Sequence, residues 1–227
     1  MIDLPKLEHH IQKYILTSLM SQKFARFRDM RPPNVDTNLY NYHLKILIRQ
    51  GFINKTEHGY TLSIEGQTYT DRVNVSTTKQ TLQPKIITLL IIQDGFGNVL
   101  MHPKKRQPFI GQWTLPLGKV HNSDSSVQEA AQREITEKIS TETSINVHHA
   151  GDAYIRVKKG NDVLISTLAH VFYGQTDELN NIDSHWRWVS LRSLDELKTT
   201  PAISQIISRT LFRDPFYFEE YEVEWYD

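Results

Sequence analysis

The chain has 227 residues, 39% of them hydrophobic and 23% charged, with 26 Lys+Arg against 26 Asp+Glu. That supplies two modest cores and is ordinary for a globular chain. The absence of cysteine excludes disulfides, thiolate metal sites and a cysteine nucleophile, and fits a reducing, cytoplasmic setting.

No apolar run approaches the roughly 18 residues that span a bilayer. The longest, residues 86–92, is strand-sized. The first ten residues lack the basic and then apolar order of a signal peptide, so no membrane partner is expected. Charge is uneven along the chain. Residues 1–80 hold 11 basic side chains against 7 acidic ones, and residues 81–227 hold 15 against 19. A basic first half points to a polyanion partner.

In chain order, Leu7, Ile11, Ile15, Leu16 and Leu19 recur at helical spacing. A short segment follows at residues 23–30. Pro32 and Pro33 then break the chain, because two prolines cannot continue a helix. Asn34 or Asp36 caps the next helix. It runs to about Gln50, with Leu39, Leu44, Leu47 and Ile48 expected on its buried side. Gly51 sits at the C-cap position. Residues 52–56 and 59–63 read as two short strands joined by a turn.

This order resembles a winged helix-turn-helix. The run VDTNLYNYHLKILIRQGFINKTEHGYTLSIEG is similar to the recognition helix and wing of bacterial winged-helix regulators, and the resemblance covers residues 5–70. It implies a first domain over residues 1–75, DNA as a partner, and a homodimer reading two half-sites. Thr37, Asn38, Tyr40, Asn41 and Lys45 are expected on the outer face of the second helix, within reach of base edges. Arg26, Arg28, Arg31 and Lys55 of the wing would meet phosphates. A solvated helix face, or a protein contact, is the plainer alternative.

Residues 70–84, TDRVNVSTTKQTLQP, are polar and closed by Pro84. A linker is placed at residues 76–84 and a second domain at residues 85–227. That domain opens with the strand KIITLLIIQD, the turn GFGN and a second strand VLMHPKKR. Residues 126–139 read as a helix, with Val127, Ala130, Ala131 and Ile135 as its apolar stripe. The terminal run YFEEYEVEWYD reads as an edge strand, an interaction tail or disorder.

The segment QPFIGQWTLPLGKVHNSDSSVQEAAQREITEKIS resembles the Nudix box, G-x5-E-x7-R-E-U-x-E-E-x-G-U with U aliphatic. The flanking Trp113-Thr114-Leu115-Pro116 and Trp186-Arg187-Trp188 fit the same family, over about residues 83–213. The resemblance implies an α/β/α sandwich around a mixed sheet, so the whole chain is expected to be α+β.

Such a box serves diphosphate chemistry. Carboxylates at i, i+3 and i+4 share one helix face and can hold divalent ions. Mg²⁺ (or Mn²⁺) would then polarise a phosphoryl oxygen and activate water. Carried over from the family, Gly118, Asp124, Glu134 and Glu137 would be the metal-holding positions, and Arg133, Glu134 and Glu137 the catalytic ones. Asp124 stands in the place of the first Glu, with one extra residue before Arg133. Lys138 stands where a second Glu belongs, Ser140 replaces the terminal Gly, Leu117 replaces a Gly and His121 an acid.

Lys138 is the largest departure. An ammonium has donors only and cannot ligate a metal. It instead forms an i,i+4 pair with Glu134. The combined expectation is a nucleotide-sensing, DNA-binding regulator with weak or no hydrolysis and no resident cofactor. The alternative is a Mg²⁺-dependent pyrophosphohydrolase of a nucleoside diphosphate linked to another group.

Overall fold

The computed structural model describes residues 7, 9–71, 73–74, 79–80, 83–139, 145–176, 184–212 and 216–225. The chain divides into two compact units, Met1–Leu82 and Gln83–Asp227. Among the described residues no helix is long and apolar enough to cross a membrane.

In the first unit, α1 (His10–Met20), a 3₁₀ turn (Phe27–Met30) and α2 (Thr37–Arg49) precede β1 (Ile53–Thr56), β2 (Gly59–Leu62) and α3 (Ile64–Thr70). β1 and β2 pair antiparallel as a hairpin. Asp36 caps α2: its carboxylate accepts from the backbone N–H of Asn38 at 2.8 Å and of Leu39 at 3.2 Å. α1 buries Ile11, Ile15, Leu16 and Leu19, as its spacing predicts.

α2 is turned differently from expectation. Tyr40, His43, Leu44 and Leu47 face the core, while Leu39 is 45% exposed. Tyr40 is therefore not on the outer face. Its ring is fully buried and its hydroxyl donates to the Phe27 carbonyl at 2.7 Å. The positions 40, 43, 44 and 47 follow the i, i+3, i+4, i+7 rule, and a tyrosine is buried without penalty when its hydroxyl finds a partner.

α3 was not foreseen in the sequence. The Ser63 side chain caps it by accepting from the N–H of Gly66 at 2.9 Å. Gly66 is required there, since a Cβ would lie 2.1 Å from the Phe52 carbonyl oxygen. Two short strands, β3 (Val73–Asn74) and β4 (Lys79–Gln80), pair within the stretch read as polar linker. Residues 72, 75–78 and 81–82 of that stretch lie outside the described residues.

The second unit is built on one mixed sheet. Its strands are β5 (Lys85–Gln93), β6 (Val99–Pro103), β7 (Trp113–Thr114), β8 (Leu117–Lys119), β9 (Val147–Lys159), β10 (Asp162–Gln175), β11 (Arg187–Val189) and β12 (Tyr217–Glu224). The order is β11-β6-β5-β10-β9-β12, with β7 beside β6 and β8 beside β5. β10 runs parallel to β5 and antiparallel to β9. The acidic-aromatic terminal run is thus an edge strand, parallel to β9.

Alternation along β5 sends side chains to two separate cores. Ile87, Leu89 and Ile91 join Ile203, Ile206 and Ile207 of α5 (Ile203–Phe212). Leu90 and Ile92 join Ala131 and Ile135 of α4 (Val127–Lys138). Helices therefore cover both faces, the α/β/α arrangement expected. Ser140 lies outside the described residues.

Candidate functional site

α4 begins at Ser126, whose hydroxyl accepts from the N–H of Glu129 at 3.1 Å. Its small apolar stripe lets the helix lie close to the sheet. Its far end is held by the Trp186 indole N–H, which donates to the Lys138 carbonyl at 3.0 Å. This fixes Glu134, only 3% exposed, against β8.

Gly118 of β8 lies opposite Thr88 of β5, directly under that carboxyl group. A Cβ at Gly118 would sit 1.7 Å from Glu134 Cδ. The glycine is there because the carboxylate occupies the space of its side chain. Gly118→Ala must push Glu134 out of its ion pairs. Denaturant unfolding should show a loss of about 1–3 kcal/mol, the usual cost of overpacking. Wild-type stability in that variant would show that Glu134 relocates freely.

Arg133 organises the loop before α4. Its Nε donates to Asp124 Oδ1 at 2.9 Å and its Nη2 to Asp124 Oδ2 at 3.0 Å. The same Nη2 donates to the Lys119 carbonyl at 3.0 Å, and Nη1 reaches Glu134 Oε1 at 2.7 Å. Asp124 also accepts from the His121 N–H at 2.7 Å, which closes the turn. The extra residue before Arg133 thus leaves a two-bond guanidinium–carboxylate fork intact.

The fork, then the His121 N–H, hold the Asp124 carboxyl down at about 2 from its ordinary 3.8. A depressed carboxyl stabilises the fold above its unfolded value, and that contribution disappears as pH falls through the folded one. The acid limb from this residue should therefore lie between pH 3.8 and about 2. A carboxyl ¹³C titration should place Asp124 there, and Arg133→Gln should return it toward its ordinary value. Titration at the ordinary value in the wild-type chain would mean that the fork is not formed.

Lys138 completes the site. Its ammonium lies 2.5 Å from Glu134 Oε2 and donates to the Leu117 carbonyl at 2.5 Å. Glu134 is therefore held at one oxygen by Arg133 and at the other by Lys138. Both oxygens of Asp124 are on Arg133. Glu137 is more open, its side chain 56% exposed and 3.6 Å from Arg133. Of the three carboxylates expected to hold Mg²⁺, two are neutralised by the chain's own cations. Gly118 retains only the close approach. This donor set does not fit a divalent ion.

Next to the loop, the α5 face of the sheet carries a cavity of about 240 Å³. Ile87, Leu89 and Ile155 give it an apolar floor, and Lys85, Lys104 and Lys119 border it. Leu117 and Lys119 line this cavity while their carbonyls accept from Lys138 and Arg133. Cavity and α4 thus share β8, with side chains of Leu117 and Lys119 on the one and their carbonyls bonded by the other. Lys104 donates to the carbonyls of Arg106 and Pro108, and burial, then Lys85, pull its pKa down. Its first role is to hold its own loop.

The family model for the NUDIX domain matches residues 83–210, more than half of the chain. The chain belongs to the NUDIX family. Among solved structures it is similar to the MutT protein of Bacillus halodurans, with 20% identity, a TM-score of 0.49, and 61% of this chain and 89% of that one covered. It is also similar to the NUDIX domain of Shewanella oneidensis NrtR in complex with ADP ribose, with 14% identity, a TM-score of 0.47, and coverage of 63% and 94%. A third is the Escherichia coli dihydroneopterin triphosphate pyrophosphohydrolase, with 14% identity, a TM-score of 0.45, and coverage of 56% and 97%. No curated protein sequence matches the chain.

Outside the NUDIX unit, Thr37, Asn38 and Lys45 are exposed on α2 and Asn41 is partly so. Thr37 accepts from Arg31 at 2.8 Å, so the first turn already carries a guanidinium. Lys55 is exposed on β1. The exposed stripe is Asn38, Tyr42, Lys45 and Arg49, at i, i+4, i+7 and i+11. Tyr42, 59% exposed, was missed and takes the place given to Tyr40. Its signal was available: it lies four residues after Asn38 and three before Lys45. Lys119 of the NUDIX unit was also missed, because its role comes from its carbonyl and from the cavity.

Proposed function

We propose that this protein is a ligand-sensing regulator. Its NUDIX unit binds a nucleotide-type anion without efficient metal-dependent hydrolysis, and its first unit is a winged helix that binds DNA. The observation that carries the first half is the double pairing of Glu134 with Arg133 and Lys138. The chain supplies its own cation where a hydrolase of this family would need a metal. What remains is a binding site: a lysine-bordered cavity with an apolar floor, sharing β8 with α4. Such a cavity suits a flat apolar group carrying phosphates.

The second half rests on the order of α1, the 3₁₀ turn, α2 and hairpin, and on the basic surplus of residues 1–80. Asn38, Tyr42, Lys45 and Arg49 form an outward face suited to a groove, and Lys55 stands on the hairpin.

The test uses the full chain and ADP-ribose as the probe. Selection from random duplexes near physiological salt should enrich one sequence, and its affinity should fall steeply with added salt. ADP-ribose should change the DNA affinity, and DNA the ADP-ribose affinity by the same factor. No enriched sequence would remove the regulator. Mg²⁺-dependent cleavage of ADP-ribose at about 1 s⁻¹ or faster, an ordinary enzymatic rate, would restore the hydrolase reading.

A further inference from the structure

The NUDIX unit carries a second cluster of chemically competent side chains, away from the α4 carboxylates. His149 and Asp152 lie on β9 and His170 on β10. His170 is directly opposite Asp152 across the antiparallel pair. His149 is three residues before Asp152, and in a regular strand the two would face opposite sides. The register slips between Val171 and Phe172: Val171 pairs with Gly151, but Phe172 pairs with His149. Ala150 is the extra residue of this bulge. One inserted residue brings His149 back to the face of Asp152 and His170.

The three side chains converge. His149 Nε2 is 2.8 Å from Asp152 Oδ1, and His170 Nδ1 is 2.7 Å from the same oxygen. All three ligand atoms lie within 4.8 Å of one another. The imidazole rings are 5.5 Å apart and crossed at 71°, so their nitrogens approach one point from different directions. Phe172 stacks on His149 at 5.1 Å and Phe216 meets its edge at 5.3 Å, which restrains the ring. The side chains are 19–32% exposed, so an ion and a water can enter.

We propose that His149, Asp152 and His170 form a binding site for a borderline divalent transition-metal ion of the Zn²⁺ class. Two imidazoles and one carboxylate are the donors such ions favour over Mg²⁺. A four-coordinate ion with bonds of about 2.1 Å sets its ligand atoms about 3.4 Å apart, so the two nitrogen–Asp152 distances of 2.8 and 2.7 Å widen by well under 1 Å to admit it. Each imidazole moves its proton to the other ring nitrogen, and the two hydrogen bonds to Asp152 give way to three metal bonds. Three protein ligands leave one position for water or for an anionic oxygen of a ligand. Both sites share a face of the sheet: Gly118, Thr88, His170 and Asp152 lie in register across β8, β5, β10 and β9. Two strand spacings, about 10 Å, separate Gly118 from His170.

The test is a Zn²⁺ titration of the full chain against a chromophoric chelator, with the Co²⁺ visible spectrum as a second readout. One Zn²⁺ per chain is expected, with a Kd of about 1 µM or tighter. His149→Gln, His170→Gln and Asp152→Asn should each weaken it beyond the roughly 10- to 100-fold that loss of an outer partner costs. Glu134→Gln should leave it unchanged, which separates this site from the α4 carboxylates. In the wild-type chain, Zn²⁺ should shift the ring ¹⁵N signals of His149 and His170, a measurement independent of variant folding. Undiminished stoichiometry in the His149→Gln, His170→Gln double variant would place the ion elsewhere, such as the stacked His9, His10 and His43. That outcome, or unshifted ring signals at saturating Zn²⁺, overturns the proposal.

Discussion

A metal-free Lys138→Glu chain is expected to melt below the metal-free wild-type chain and to recover in Mg²⁺, while the wild-type chain shows no Mg²⁺ response. The Lys138 ammonium is the cation on Glu134 Oε2 and on the Leu117 carbonyl. Its replacement by a carboxylate leaves both acceptors without that partner and adds a like charge beside a residue 3% exposed. Stripping one partner from a buried charged group costs about 1–3 kcal/mol, so the apo variant should melt several degrees lower. The same change sets carboxylates at 134, 137 and 138, which is the spacing that holds a divalent ion. Mg²⁺ at about 100 times its Kd would return about 2.7 kcal/mol. Lys138→Met is the control, since it removes the pair without adding a charge and should show no Mg²⁺ response. If Lys138→Glu melts at the same temperature with and without Mg²⁺, Leu117 or the extra residue before Arg133 has also reshaped the loop.

Tyr40 and Tyr42, two residues apart on α2, should behave in opposite ways. Tyr40 is fully buried and bonded to the Phe27 carbonyl. Tyr40→Ala opens a cavity and leaves that carbonyl short of a donor, so the first unit should lose about 3–5 kcal/mol. Tyr40→Phe keeps the ring and should lose only about 1 kcal/mol. Tyr42 is 59% exposed, and Tyr42→Ala should change stability by no more than about 0.5 kcal/mol. In the proposed regulator, Tyr42→Ala and Lys45→Ala change DNA binding in a chain that melts normally. Chemical unfolding and DNA titration of the four variants separate the roles. A normal melt for Tyr40→Ala would contradict its burial, and unchanged DNA binding by both surface variants would take α2 out of the interface.

Much of this protein is legible without coordinates because it is local. The α4 helix shows in its small apolar stripe and in Ser126, which caps the chain two residues after Asp124. α1 shows in the spacing from Ile11 to Leu19, and β5 in an apolar run, interrupted only by Thr88, that a strand buried on both faces requires. The misfit of Lys138 is also a sequence fact, since i,i+4 spacing alone sets it beside Glu134.

Tertiary structure decided the rest. The phase of α2 could be read two ways, around Leu39 or around Tyr40. The choice fell to Tyr40 because Phe27, thirteen residues earlier, offers a carbonyl for its hydroxyl. Asp124 is a charge on a loop until Arg133 turns its fork toward it. His149, Asp152 and His170 meet only because a bulge at Ala150 reverses one strand's alternation opposite its neighbour. A sequence specifies which groups are present and how they repeat along one element. Which of them share a face across elements depends on register, helix rotation and partner atoms, and those are set where distant segments pack.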